Sequence, residues 1–585
     1  MDGSVVAHTP LFEGLDTVAL ADIAGRMQPR VFAAREVICR EGEEGTGIFV
    51  IKSGLAQVLG PQRADGPDAP PGRATVALLR PGDVVGEMSL VTGEPRSATV
   101  VASVPTVALE LDRAVFAAII ADYPTIIMNL NRILSRRLAR TTTRHSERAG
   151  RGAALALIID HTGAPLAGRV VRALAATSPR EIALVDLTGT VTTATTRLVA
   201  SSVAEALATL DDVMPDFGTV VVVADVEHDD LPHLLAHVDR TIALLPASRL
   251  ALLEACATQT SSEPEVVVLH DATETLPVNT SLSVIRTCPI DTAPGDIAWI
   301  GRHLARTKLG LALGAGGAKG YAHIAALRVL EEAGYTVDCV AGGSIGAMVG
   351  AWMGMGYDAA TIERVMRGSF TEEAQRAMFK LSLSGLSSGL EVHTRICRET
   401  TEERTFADLS LSLAIMAVDL DARQPVTLTA GPVWQALLAA TALPGMFPPH
   451  QIDGRRLVDS LCLVPVPTAA ARGAGADIVL AVNLLSRATL AAWPGEARPT
   501  PPPARSGVRM LDTLLEVMDL SQLDASVRHA AQADVVVTPR FGPSNWRDFD
   551  RADQFLAAGR AATLEQLATL GTLARPQGQA MSIRQ

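Results

Sequence analysis

The pentapeptide Gly342-Gly343-Ser344-Ile345-Gly346 sets the tightest limit on what this chain can fold into. A GxSxG run needs a strand that stops abruptly, a sharp turn and a helix that starts at once, which exposes a serine oxygen at a helix N-terminus where the dipole favours negative charge. The flanks agree, since VAGGSIGAMVGAW (340–352) is apolar on both sides of the turn. Upstream, LALGAGGAKGYAHIAALRVLEEAG (311–334) has the same plan, a Gly-rich loop carrying Lys319 between an apolar run and a helical pattern. Two such units in succession predict a parallel sheet covered by helices. Ser344 is therefore a nucleophile candidate, Gly342 and Gly346 give the elbow its close backbone approach, and amides around Gly316 and Gly317 are candidate oxyanion donors. A hydrolase triad would add a downstream histidine; His393, His450 and His529 follow, none in a supporting context.

At 585 residues the chain is too long for one core, and 48% hydrophobic against 19% charged residues excludes wholesale disorder. Apolar runs ALALIID (153–159), IALVDL (182–187), TVVVVADV (219–226), TIALLPA (241–247) and EVVVLHD (265–271) recur with helix-length segments between several of them. They predict a second parallel α/β sheet, buried on both faces. Its first turn, DHTGAPLAGR, has no phosphate-loop pattern, so no nucleotide site is assigned there. His228, His233 and His237 have no standard metal spacing and are read as polar surface. The net charge of −12 argues against nucleic acid as a partner.

The N-terminal part differs. After helical periodicity at 11–27, short β-branched runs alternate with Gly turns to about residue 112, broken by a Pro/Gly-rich loop at 61–73. In GEMSLVTGEPRSATVVA (86–102), Arg96 with the amides of a short helix near Met88 to Leu90 would hold a phosphate diester, and Glu87 would suit a ribose hydroxyl. Together with LFEGLD (11–16), REGEEGTGIFVIKSGLAQV (40–58) and LRPGDVVGEM (79–88), this segment resembles the cyclic nucleotide-binding domain family over residues 10–130. The resemblance implies cAMP or cGMP as a regulatory ligand held by Gly86, Glu87, Arg96 and Ser97.

The elbow and the Gly loop, with AATALPGMFPPHQIDGRRLVDSLCLVPVP (439–467) and the segments within 533–562, resemble the patatin-like phospholipase family from residue 308 to about 570. The likeness is especially to its bacterial neuropathy target esterase-like members that carry a cyclic nucleotide-binding domain. That family pairs the serine with an aspartate in an Asp-Gly-Gly or Asp-Gly-Ala motif, which implies Asp459 as general base towards Ser344 and no metal or required cofactor. Two departures stand out: Ser460 and Leu461 follow Asp459, losing a glycine that takes positive φ cheaply, and Ala315 replaces the first loop glycine. Asp453-Gly454 is a rival acid but reads as a hairpin turn.

The expected fold is multidomain: an N-terminal β-roll with flanking helices (1–130), a basic helical linker (131–151), a parallel α/β middle domain (152–300) and a patatin-like α/β/α domain (305–585). The expected activity is serine hydrolysis of phospholipid or lysophospholipid acyl esters under cyclic-nucleotide control. The alternative is a catalytically weak lipid-binding scaffold that keeps the fold. The start of the chain lacks a secretory pattern and the six cysteines are widely spaced, so a cytoplasmic protein is expected. Seven arginines against Glu147 between Arg132 and Arg151 form a solvated linker, with peripheral contact to an anionic inner membrane face left open. A proline-rich stretch at 493–503 reads as an exposed loop or lid.

Overall fold

The computed structural model describes residues 9–576 other than 13–14, 34, 55, 62–72, 80–82, 87–95, 97, 103–104, 124, 127–128, 130–152, 192–195, 199, 215, 261–262, 272–279, 379–388 and 491–508. The basic linker, the proline-rich stretch and nearly all of the 61–73 loop therefore lie outside the described residues. The chain divides into two compact units, Met1–Ala175 with Arg180–Ile297, and Ala176–Pro179 with Ala298–Gln585.

The first unit begins with a β-rich part made of two four-stranded antiparallel sheets. Its helices are set by local capping. Asp16 accepts the amides of Val18 and Ala19 at the head of Thr17–Arg26, and Asp112 accepts Val115 at the head of Arg113–Asp122. Leu11, Phe12, Ile23, Ile48, Leu111 and Ile119 are buried together beneath them. The same unit then forms a seven-stranded parallel sheet in the order 196–198, 182–186, 219–225, 153–159, 240–246, 265–270, 283–289. Its central strands are buried except for half-buried residues at their ends, as an unbroken apolar run requires when helices cover both faces.

The second unit holds the elbow. Its strands are β1 (Leu309–Leu313), β2 (Val337–Gly343), β3 (Ser412–Asp419), β4 (Gln424–Leu428), β5 (His450–Ile452), β6 (Arg455–Asp459), β7 (Ile478–Val482) and β8 (Val535–Val537). Parallel pairing runs β3-β2-β1-β7-β8. The β5-β6 hairpin turns at Asp453-Gly454, both with positive φ, as expected of a two-residue turn. Helix Tyr321–Glu332 packs on Ala552–Leu573, and Ile345–Gly354 lies against β2 and β3. Trp352, Tyr321, Phe541 and Phe555 fill this core, each contributing about 1.5–3 kcal/mol by leaving water. Arg302, paired with Asp338 in a nearly buried ion pair at 2.7 Å, pins the start of β2.

Candidate active site

Ser344 leaves β2 with φ 53° and ψ −125° and heads helix Ile345–Gly354. A β-carbon-bearing residue avoids this conformation unless its surroundings impose it. Here packing imposes it: a β-carbon at Gly342 would stand 2.3 Å from the Gly346 carbonyl oxygen, and one at Gly346 would stand 2.2 Å from that of Leu313. Only glycines let the helix start so close to β1 and β2. In the Gly loop, the amides of Ala315, Ala318 and Lys319 donate to the carbonyls of Pro465, Trp546 and Gly316, whereas those of Gly316 and Gly317 make no such bond among the described residues. His323, wholly buried, anchors the loop through Nε2 to the Gly314 carbonyl at 2.8 Å.

Sheet register brings Asp459 to the same place. One edge of β3 carries β4 opposite residues 415–419. Its other edge carries β2 opposite residues 412–416 and then β6 opposite 417–419, so the two strands follow one another along it. Gly343 is level with Met416 and Asp459 with Ala417, its immediate neighbour. The Ser460 hydroxyl lies so close to Gly343 that a β-carbon there would meet it at 2.2 Å. Asp459 is fully buried, and its Oδ1 accepts the Leu461 amide at 2.8 Å. At the Ser460-Leu461 departure, Ser460–Cys462 forms a short 3-10 turn in which neither Ser460 nor Leu461 takes positive φ. Burial first, and then the Asp459 carboxylate, push the Cys462 thiol up to about 11. Asp453 is far more exposed, its side chain 83% accessible and 3.6 Å from Arg455.

A cavity of about 100 Å³ is lined by Ser344, Asp459, Gly316 and Gly317. His393 and Thr441 line it too, with an apolar remainder that includes Met348, Phe370, Met446 and Phe447. The sequence offered His393 as a downstream histidine without a supporting context. Its partners lie on helix Leu390–Thr400 and at Thr441, and the one signal for it was the His393/Cys397 spacing on the buried face of that helix. Lys319 is buried and does not line the cavity.

In the β-rich part of the first unit, Arg96 is buried and donates to the carbonyls of Gly86 at 2.8 Å and Gly47 at 2.7 Å. Gly86 and Arg96 thus come together, while Glu87 and Ser97 lie outside the described residues.

Residues 29–123 match the family model "Cyclic nucleotide-binding domain" and residues 311–472 match "Patatin-like phospholipase". The chain joins a cyclic nucleotide-binding domain to a patatin-like phospholipase domain. An uncharacterised NTE family protein of Mycobacterium tuberculosis is 33% identical over 196 residues, 33% of this chain and 53% of that one, so the chain spans about half the length of this relative. A second NTE family protein of that organism is 23% identical over 590 residues, 98% of this chain and 97% of that one. A protein of Aspergillus fumigatus named lysophospholipase is 29% identical over 196 residues, 32% of this chain and 13% of that one. Among the described residues, no helix is long and apolar enough to cross a membrane.

The patatin-like domain carries an acid sensitivity in its two buried histidines. Burial lowers both His323 and His393 to about 4, so each is neutral when folded and protonates more readily when unfolded. The unfolded state binds more protons below about 6.5, and stability present above that pH is lost as pH falls towards 4, by about 1.4 kcal/mol per unit per histidine. Thermal melts at pH 7.5 and pH 5 should show this loss. His323→Gln, which keeps a donor for Gly314, should remove roughly half of it; an unchanged slope would refute the assignment.

Proposed function

We propose that the chain is a serine esterase of the phospholipase or lysophospholipase type, with Ser344 as nucleophile and Asp459 as general base. The observation that carries this reading is the convergence of a strained Ser344, a buried Asp459 and the unused Gly316 and Gly317 amides on one apolar-walled cavity. Ser344 Oγ attacks the ester carbonyl as its proton passes to the Asp459 carboxylate. The Gly316 and Gly317 amides hold the oxyanion, and the helix that starts at Ile345 adds its dipole. The proton then goes to the departing alcohol, and water attacks the acyl-enzyme by the same route in reverse. The apolar walls suit an acyl chain. The alternative, a catalytically weak lipid-binding scaffold, draws on the Ser460-Leu461 departure, and the turn there, with no positive φ at either residue, favours the esterase reading. Hydrolysis of monoacyl and diacyl glycerophospholipids by the full chain tests the reading; release of fatty acid from neither contradicts it. We place the protein in the cytoplasm, with peripheral access to lipid at the inner membrane face, a β-roll as its nucleotide module and α/β/α layering around the elbow.

The regulatory ligand in this reading is cAMP or cGMP. Arg96 already bonds two carbonyls, so the phosphate must share or displace them. At about 100 times its dissociation constant, a nucleotide bound only to the folded state adds about 2.7 kcal/mol of stability. Arg96→Ala should remove most of that increment and also lower the unliganded baseline, because two charge-assisted bonds go with it. The ligand-induced shift in melting temperature is therefore the quantity to compare, and an undiminished shift would exclude Arg96 from the site.

A further inference from the structure

The glycine at 343 has no backbone reason to be there. It ends strand β2 without positive φ, in an extended conformation open to any residue. Gly342 and Gly346 differ, because a β-carbon on either would run into backbone atoms. At Gly343 the obstacle is a side chain: a β-carbon there would stand 2.2 Å from the Ser460 hydroxyl, against 3.4 Å from Ser460 Cβ and 3.8 Å from the Val464 carbonyl oxygen. Ser460 is itself held from behind. Its carbonyl accepts the amides of Leu463 at 3.1 Å and Val464 at 2.7 Å, and the Leu461 amide ties the same turn to Asp459 Oδ1. The Ser460 side chain is fully buried, and its hydroxyl has no hydrogen-bond partner among the described residues. An orphan hydroxyl costs stability rather than adding to it, so bonding does not account for its place. Its bulk does, because Ser460 is the residue next to Asp459 and presses on the residue next to Ser344.

Taking the esterase reading as given, we propose that Ser460 is a positioning residue: its side chain fills the volume that a side chain at 343 would take, and this contact sets the spacing between Ser344 and Asp459. The glycine missing after Asp459 stands instead at 343. The contact joins two stiff parts, the elbow packed on β1 and the turn fixed by its own amides, so a change in its length is passed to the reacting groups. The same turn reaches the Gly loop, since the Pro465 carbonyl accepts the Ala315 amide at 2.9 Å. Rotating the hydroxyl gives no relief, as a side chain with no exposed surface turns into packed neighbours. Opening 2.2 Å to ordinary van der Waals contact takes a shift of about 1 Å, and a misplacement of that size costs about 100-fold in rate.

The test is a double-mutant cycle on the full-length protein, read as kcat and KM for p-nitrophenyl butyrate, as urea unfolding midpoints and as crystal structures. Gly343→Ala should lower kcat about 100-fold with KM nearly unchanged, and lengthen the separation of Ser344 and Asp459 by about 1 Å. Ser460→Ala should lower kcat several-fold through the gap it leaves, while its unfolding midpoint holds or rises with the orphan hydroxyl gone. The double variant moves one heavy atom across the contact and leaves two β-carbons 3.4 Å apart. It should turn over at least about tenfold faster than Gly343→Ala and restore the separation. A merely structural contact would couple the substitutions in the midpoints and leave kcat uncoupled, which overturns the positioning role. Full activity in Gly343→Ala overturns it too, as does a double variant as slow as the product of the singles. The crystal structures keep this apart from the esterase assignment. If the unmodified protein hydrolyses no ester, a separation that opens in Gly343→Ala and closes in the double variant upholds the spacing role while the esterase reading falls; a separation that never changes overturns that role whatever the rates.

Discussion

Ser344→Ala should reduce ester hydrolysis by at least about 10⁴-fold while leaving the fold intact. The hydroxyl is the only atom removed, and no hydrogen bond from it holds the elbow together among the described residues. The change should therefore move unfolding free energy by less than about 1 kcal/mol. A companion variant sharpens the point. Ser344→Gly should also be inactive yet more stable, because φ 53° is strained for serine and ordinary for glycine. An inactive variant that is more stable than the parent is what stored strain at a nucleophile implies, and hydrolysis rates beside urea unfolding curves would reveal it. Retained turnover in Ser344→Ala would exclude the serine mechanism.

Asp459→Asn should lower kcat by a factor on the order of hundreds or more, since the amide has no basic oxygen to take the serine proton. Its effect on binding should be small, because the substituted side chain would keep an oxygen to accept the Leu461 amide. Asp453→Asn bears on an exposed hairpin turn and a surface ion pair with Arg455, for which less than about 1 kcal/mol of stability and little change in rate are expected. Parallel kinetics on the two variants rank the acids, and the reverse ranking would move the base to Asp453.

What the sequence revealed follows from how much geometry each motif carries within itself. GxSxG and the Gly loop are local: their glycines exist because β1, β2 and two helix starts crowd together, so both turns could be placed from residue type alone. The same holds for Asp453-Gly454, whose turn chemistry distinguished it from Asp459. The arrangement of β2 and β6 along one edge of β3 was not legible, because it depends on β3 pairing both with a strand well before it in the chain (Cys339 with Ser412) and with one well after it (Ala417 with Asp459). The departure from the family motif after Asp459 could be seen in the sequence, but the 3-10 turn that Ser460–Cys462 makes there could not. His393 has no supporting motif in the sequence, because its place in the cavity wall arises from packing against Thr441, 48 residues on. The order of the seven-stranded sheet, with the first strand at its centre, was likewise beyond what apolar runs alone specify.

The most direct measurement is covalent labelling of the full-length protein with a fluorophosphonate, followed by peptide mapping. An activated serine forms a phosphonyl ester with this reagent, whereas an ordinary surface serine does not. The predicted result is a single adduct on Ser344, formed far more slowly in Asp459→Asn and absent in Ser344→Ala. An unlabelled protein, or an adduct on any other serine, would contradict the assignment of Ser344 and Asp459 as an esterase pair.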